Sequence, residues 1–167
     1  MAAPCYITWN AVTSALTAPM AGTATSAVSG TVKTILQIKP GASKIRIIEW
    51  GYIFTTIPTA PVAMELIETG TVFATVTAGS VANYNDTTGP VSLAATGTAA
   101  TGFNATAEGT ITATRLLAET YDTATFFKQQ FPLGREPEIG TGSALRIRAT
   151  PNTAAATTVL CYVIHEE

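Results

Sequence analysis

Charged residues are scarce in this chain. They make up 12% of its 167 residues and leave a formal net charge of −2, whereas about a quarter of an ordinary soluble domain is charged. A general nucleic-acid binder needs a basic face that neutralises phosphates, and the short basic stretch from Lys33 to Arg46 is soon followed by glutamates. We interpret those basic residues as solvated strand edges and predict no nucleic-acid partner.

Histidine and cysteine are equally scarce. His165 is the single histidine, and because metal sites normally combine several such ligands, we interpret it as a surface or interface residue. The two cysteines, Cys5 and Cys161, lie in apolar, strand-like stretches, which predicts two reduced and buried side chains. A disulfide between them is the alternative if the first and last strands are neighbours.

Catalytic motifs are lacking as well. The sequence has no glycine-rich phosphate loop, cysteine–histidine pair or serine-centred elbow. A glycosidase needs two carboxylates across a cleft, but an aromatic content of 8% is low for a carbohydrate cleft; the carboxylates considered are Glu65, Glu68, Glu119, Asp122, Glu136 and Glu138. Residues 83–89 offer one carboxylate, which indicates a tight turn rather than a calcium loop. We predict a protein that is not an enzyme and has no cofactor or metal.

Segments for membrane insertion or export are also lacking. No apolar run reaches the roughly 20 residues of a transmembrane helix, and the N-terminus shows no positive region followed by an apolar one. We therefore expect no membrane partner, and assembly in a cytoplasm.

Threonine and alanine, in contrast, are abundant and together form about a third of the chain, well above average usage. Threonine favours strands because its branched Cβ packs well on a pleated surface. A surface so poor in charge promotes association, so we expect much of it to be buried against partners. The alternative is a soluble protein that tolerates threonine on exposed strand faces.

Runs typical of β-strands recur along the chain, with glycine and proline turns between them. Within residues 44–56 the apolar side chains change parity at Ile47 and Ile48, which predicts a bulge or a bend. A bend of this kind lets one strand take part in both sheets of a sandwich. Eight or more strands at this spacing predict an all-β fold, a jelly-roll-like antiparallel β-sandwich. The predicted strands are residues 5–9, 31–39, 44–56, 62–69, 71–78, 109–122, 125–131, 143–150 and 157–166.

Two segments have little strand pattern. Residues 1–30 are predicted to form an extended N-terminal arm, or a long surface loop, before a single β-sandwich domain of residues 31–167. Residues 79–109 form a low-complexity insertion rich in alanine, threonine and glycine. Because structureless loops of this length are unusual in a compact domain, contact with a partner is one way to order the insertion.

Two groups of residues are candidates for an interface. Trp9, in the predicted arm, is a candidate anchor for a partner, whereas Trp50 and Tyr52 share the apolar parity of their strand and are predicted to be core residues. The scarce charge is concentrated in one turn-rich loop, which predicts an inter-subunit salt-bridge cluster; a solvated connection is the alternative. The residues of that cluster are Arg135, Glu136 and Glu138.

Three segments, residues 34–54, 131–150 and 159–167, resemble the sheet-forming parts of the jelly-roll decoration, or cement, proteins of tailed-bacteriophage heads. The resemblance is one of style and strand order, covers about half of the chain, and involves no short motif. It implies a homotrimer on the outer capsid surface that braces neighbouring capsomers, with the major capsid protein as its partner. It transfers no catalytic or binding residue.

We therefore expect a structural virion protein that is assembled in the host cytoplasm, binds the capsid surface and stabilises the phage head. The alternative is a receptor- or glycan-binding β-sandwich head of a phage fibre or tail component. An enzyme on a β-sandwich or cupin-like scaffold is a third possibility, against which the single histidine counts because cupin-type metal sites need several.

Overall fold

The structure, a computed structural model, describes residues 3–13, 18–111, 113–122 and 126–167. The parts of the predicted arm and strands at residues 1–2, 14–17, 112 and 123–125 lie outside the described residues. The strands are β1 Cys5–Trp9, β2 Thr23–Ala24, β3 Lys33–Ile38, β4 Ile45–Phe54, β5 Val62–Thr69, β6 Thr75–Ala78, β7 Val81–Asn83, β8 Gly102–Ala107, β9 Thr114–Asp122, β10 Phe127–Gln130, β11 Glu138–Ile139, β12 Ala144–Pro151 and β13 Thr158–Glu166.

These strands form two antiparallel sheets that pack as a sandwich, which confirms the predicted all-β class. Sheet I has the strand order β10-β4-β13-β1-β7, with β11 also paired to β4 and β2 to β13. Sheet II has the order β6-β8-β3-β12-β5-β9. Strands β9 and β10 lie at the same edge of the sandwich. Tyr52 of β4 lies opposite Phe127 of β10, and its hydroxyl is 2.5 Å from the Thr120 hydroxyl of β9.

The core lies between the sheets and follows from strand alternation. Alternate residues of each strand point to the same face, so Leu145 and Ile147 of β12 enter the core together with Val159 and Val163 of β13. Trp50 and Tyr52 are buried in the same cluster, as predicted. Burial of such side chains is the main favourable contribution to folding, at about 25 cal/mol per Å² of apolar surface.

The predicted bulge in the second long strand is confirmed. The pairing of β13 with β4 changes register between Ile164 and His165, which lie opposite Glu49 and Ile47, so Ile48 is the extra residue. The strand nevertheless stays in sheet I along its whole length, with β13 on one side and β10 and β11 on the other.

Part of the predicted arm is built into sheet I. Strand β1 has the bounds predicted from the sequence and lies between β13 and β7. Just after it, the Asn10 side chain donates to the Val159 carbonyl at 2.8 Å and accepts from the Cys161 backbone N–H at 2.7 Å. Strand β2 then pairs with β13 again.

The disulfide alternative is wrong for a single chain. Cys5 lies opposite Glu166, five residues along β13 from Cys161, a separation of about 17 Å at 3.4 Å per residue. Disulfide formation needs Cα atoms within about 7 Å. Both cysteines are free, with Cys161 buried and Cys5 half-buried, and burial raises the pKa of both thiols.

The low-complexity insertion contributes β7 to sheet I and β8 to sheet II, and Ala100 and Glu108 help to cover the outer face of sheet II. Alternation places Gln37 and Arg146 on that face, yet neither side chain is exposed. Arg146 donates to the Val72 carbonyl at 2.6 Å and to the Glu108 carbonyl at 3.1 Å. The Glu108 carboxylate also accepts from the backbone N–H and the hydroxyl of Thr34, both at 2.5 Å. Contacts within the chain therefore anchor the insertion.

Candidate interaction surfaces

His165 is a core residue, so its interpretation as a surface or interface histidine was wrong. Its side chain has no exposed surface and lies between Tyr6 and Ile47 on the neighbouring strands. Nε2 is 3.4 Å from the Thr8 hydroxyl, and Nδ1 has no hydrogen-bond partner. Burial lowers the pKa of His165 from 6.5 to about 4, so the imidazole is neutral at ordinary pH.

Three of the six carboxylates considered for catalysis, Glu65, Glu68 and Glu138, form ion pairs. Glu65 pairs with Arg148 at 3.0 Å and Glu68 with Arg115 at 2.6 Å. In the described ranges, no three histidine, cysteine, aspartate or glutamate side chains are placed to hold a metal ion. Those ranges also hold no apolar helix of bilayer-spanning length.

The loop at residues 83–89 is the tight turn that the sequence indicates. One carboxylate oxygen of Asp86 accepts from the backbone N–H of Thr88 at 2.8 Å and from its hydroxyl at 2.7 Å. These bonds lower the pKa of Asp86. The Asn83 side chain closes the turn by donating to the Gly89 carbonyl at 3.0 Å.

The Arg135 loop, residues 131–138, connects β10 to β11 and interrupts the strand pairing along that side of β4. The loop leaves β4 after the Phe131 N–H, which donates to the Ile48 carbonyl. It rejoins β4 at the Pro137 carbonyl, which accepts from the Ile47 N–H. Between these points Pro132 accepts from the Arg135 backbone N–H at 2.9 Å, and the residue before Arg135 is a glycine with φ of 78°. A type II turn needs a positive φ at this place. Leu133 at the tip of the turn is 94% exposed.

An open groove of about 680 Å³ lies beside this loop and carries both signs of charge. Glu138 pairs with Lys44 at 2.6 Å, and the Arg115 guanidinium donates to the Glu138 carbonyl at 2.7 Å. The pKa of Glu136 is lowered mainly by its own backbone N–H group. Other backbone N–H groups of the loop and the nearby Arg46 lower it further. Exposed pairs of this kind add about 0–1 kcal/mol each to stability, so the cluster does little to hold the fold.

Trp9 lies on the outer face of sheet I, two strands from the Arg135 loop. It is half-buried and packs on Tyr162, with ring centroids 4.9 Å apart. Tyr162 in turn lies across Gly51 of β4, where a Cβ would be 2.8 Å from its ring. The Tyr162 hydroxyl donates to Glu49 at 2.6 Å, and burial, followed by this carboxylate, raises the pKa of the phenol.

A further surface, which the sequence did not indicate, is one end of the sandwich. We call it the threonine-laced end and define it as residues 25–32, 55–61 and 151–157, the loops that flank the starts of β3, β5 and β13 and the end of β4. Thr157 holds two of these loops, since its hydroxyl donates to the Thr56 carbonyl at 2.6 Å and its backbone N–H to the Thr25 hydroxyl at 3.1 Å.

Charge is distributed unequally between the ends of the molecule. The threonine-laced end contains no aspartate, glutamate, lysine, arginine or histidine. Two of its apolar side chains are exposed, Val28 to 62% and Ile57 to 76%. Phe126, which follows the end of β9 in sequence, is 59% exposed. Four of the nine lysines and arginines lie instead around the groove of the Arg135 loop or beside it; these are Lys44, Arg46, Arg115 and Arg135.

The structure therefore brings three of the predicted interface residues, Arg135, Glu136 and Glu138, to one groove and places Trp9 on a different face. The threonine-laced end was missed because the absence of charged residues from three separate stretches forms no recognisable sequence motif. Comparison of the chain with family models, with curated proteins and with solved structures finds no match.

Proposed function

We propose that this chain is a structural protein of a phage virion that binds the outer surface of the capsid and stabilises the head. The observation that carries the proposal is the segregation of charge, which leaves the three loops at one end of the sandwich without ionisable residues and exposes apolar tips there. A protein that binds only the intact shell stabilises it by mass action. Adhesion, with no chemical step, is the mechanism.

The proposal includes a jelly-roll topology for the sandwich. A jelly roll wraps antiparallel strands into two sheets by Greek-key connections. In support, consecutive strands change sheets between β3 and β4, between β4 and β5, between β9 and β10, and between β12 and β13. The inner strands are also paired non-sequentially, β3 and β5 with β12, and β1 and β4 with β13.

The proposed homotrimer uses the Arg135 loop as a contact between copies. The loop supports this role because it offers an apolar tip, Leu133, within a rim that carries both charge signs and is therefore complementary to itself. We expect Leu133→Ser to lower the mass in solution from trimer to monomer. Val91→Ser, at a position 83% exposed in the insertion, is the matched control and keeps the trimer.

Light scattering followed by co-sedimentation tests this function. A mass three times the 17.3 kDa of one chain, together with co-sedimentation with purified empty heads of the phage that encodes the chain, is the expected result. A monomer that stays in the supernatant with those heads contradicts the proposal.

One observation favours a second candidate, the receptor- or glycan-binding head. Trp9 and Tyr162 form an aromatic pair on the outer face of sheet I, and Tyr84, 56% exposed, contributes to the electrostatic surroundings of Tyr162. Aromatic faces bind sugars and other ligands that have one apolar side. Binding to cells or to a glycan array that Trp9→Ala abolishes, with no binding to heads, is the result that favours this candidate.

A further inference from the structure

We propose that the threonine-laced end is the docking surface of this protein, and that the patch it meets is an uncharged surface of the shell protein. The inference rests on the proposed function and deepens it, since it says which face binds and what the partner offers.

Hydrogen bonds hold the three loops of the threonine-laced end rigidly in place. Besides the bonds of Thr157, the Thr55 backbone N–H donates to the Thr158 carbonyl at 2.9 Å, and Gly30 donates to the Pro151 carbonyl at 2.8 Å. These bonds join the three loops to one another and to the strands behind them. A surface already ordered before contact loses less conformational entropy on binding, which is what a docking face requires.

The lack of ionisable residues in these loops limits the chemistry of the surface that can face them. The three loops carry no ionisable group, and Lys33 and Glu108 lie only at their margin, beside Ser26 and Val32. A charge on the patch that faces the loops would therefore be buried without a counter-ion, which is strongly unfavourable. The hydroxyls of Thr55 and Thr59 meet the Thr158 carbonyl at 3.3 Å and the Thr153 hydroxyl at 3.5 Å, whereas the exposed Thr56 hydroxyl needs a hydrogen-bond partner once water is excluded. Lipid tails offer none, whereas a protein surface of hydroxyls, amides and backbone groups does. An uncharged protein patch therefore fits best.

Exposed apolar side chains are the source of affinity at this surface. The apolar tips Val28 and Ile57 stand on two different loops, and Phe126 follows the end of β9, which pairs at Asp122 with the first residue of β5. Apolar side chains that lose their water on binding, surrounded by polar groups that keep water out, are a usual source of interface affinity. Such a contact is insensitive to salt, because screening acts on charges.

Co-sedimentation with purified empty heads, with bound protein measured against free protein, tests the inference. We expect the wild-type dissociation constant to change less than about twofold between 0.05 and 1 M NaCl, since no charge pair is screened. Ile57→Lys and Val28→Lys each bury an unpaired ammonium and are expected to weaken binding by about tenfold or more. Both positions are exposed, so melting temperatures stay unchanged.

Val91→Lys is the matched control. Val91 is 83% exposed, and its segment lies beside the β3–β4 turn, where Ala95 donates to the Lys39 carbonyl, away from the threonine-laced end; it is expected to bind as wild type. If the wild type binds heads and Ile57→Lys and Val28→Lys bind them equally well, the docking surface is wrong and the proposed function stands. The same holds if wild-type binding weakens steeply with salt. Wild-type protein that does not bind heads at all overturns both. A mass in solution that falls with Ile57→Lys shows a contact between copies and overturns the inference as well.

Discussion

The buried histidine makes the stability of this protein depend on pH in a defined window. In the unfolded chain His165 has its ordinary pKa of 6.5, and burial lowers it to about 4 in the folded protein. The unfolded state therefore binds a proton that the folded state excludes, so stability falls as the pH decreases from 6.5 towards 4. Each pKa unit corresponds to about 1.4 kcal/mol, which gives a loss of about 2 kcal/mol at pH 5 and about 3 kcal/mol below pH 4.

Urea unfolding of the wild type and of His165→Gln at several pH values between 7 and 4.5 measures this effect. The other ionisable groups are the same in both proteins, so their contributions cancel in the difference. We expect the wild type to lose about 2 kcal/mol more than the variant between pH 7 and pH 5. A difference that stays constant within about 0.5 kcal/mol over this range would refute the argument, because it would mean that the folded protein admits the proton.

Two further predictions concern the packing of the chain. Glu108→Ala leaves the buried Arg146 guanidinium without its carboxylate and is expected to cost about 3–4 kcal/mol in urea unfolding, part of which returns when Arg146→Met is added; a cost that grows in the double variant contradicts the role of this ion pair. Gly51→Ala places a Cβ 2.8 Å from both the Phe127 carbonyl oxygen and the Tyr162 ring and is expected to cost about 2 kcal/mol. A thermal unfolding midpoint equal to that of the wild type would contradict the close packing of both groups over Gly51.

Much of sheet I and the inner strands of sheet II could be predicted, because their side chains alternate cleanly and their turns carry glycine and proline. Strand β5 has the predicted bounds, and the parity change in β4 located the bulge at Ile48. The same alternation contained the signal that would have found His165. It shares its parity in β13 with the core residues Cys161 and Val163, so the imidazole had to point inward as well.

The covered face of sheet II could not be predicted from alternation. Arg146 occupies an outward position on β12, and a strand pattern assigns such residues to solvent. Its burial depends on a segment more than thirty residues away in sequence, with Glu108 and Val72 at the contact. The threonine-laced end was hidden for a related reason, since its three loops are brought together by the sheets and no local signal marks them as neighbours.

Hydrogen–deuterium exchange of the protein, free and bound to purified empty heads, tests whether the threonine-laced end binds the shell. We expect new protection on binding in residues 25–32, 55–61 and 151–157, and little change in residues 83–95. Protection confined to the Arg135 loop or to the Trp9 face, with the threonine-laced end exchanging as in the free protein, would contradict this expectation.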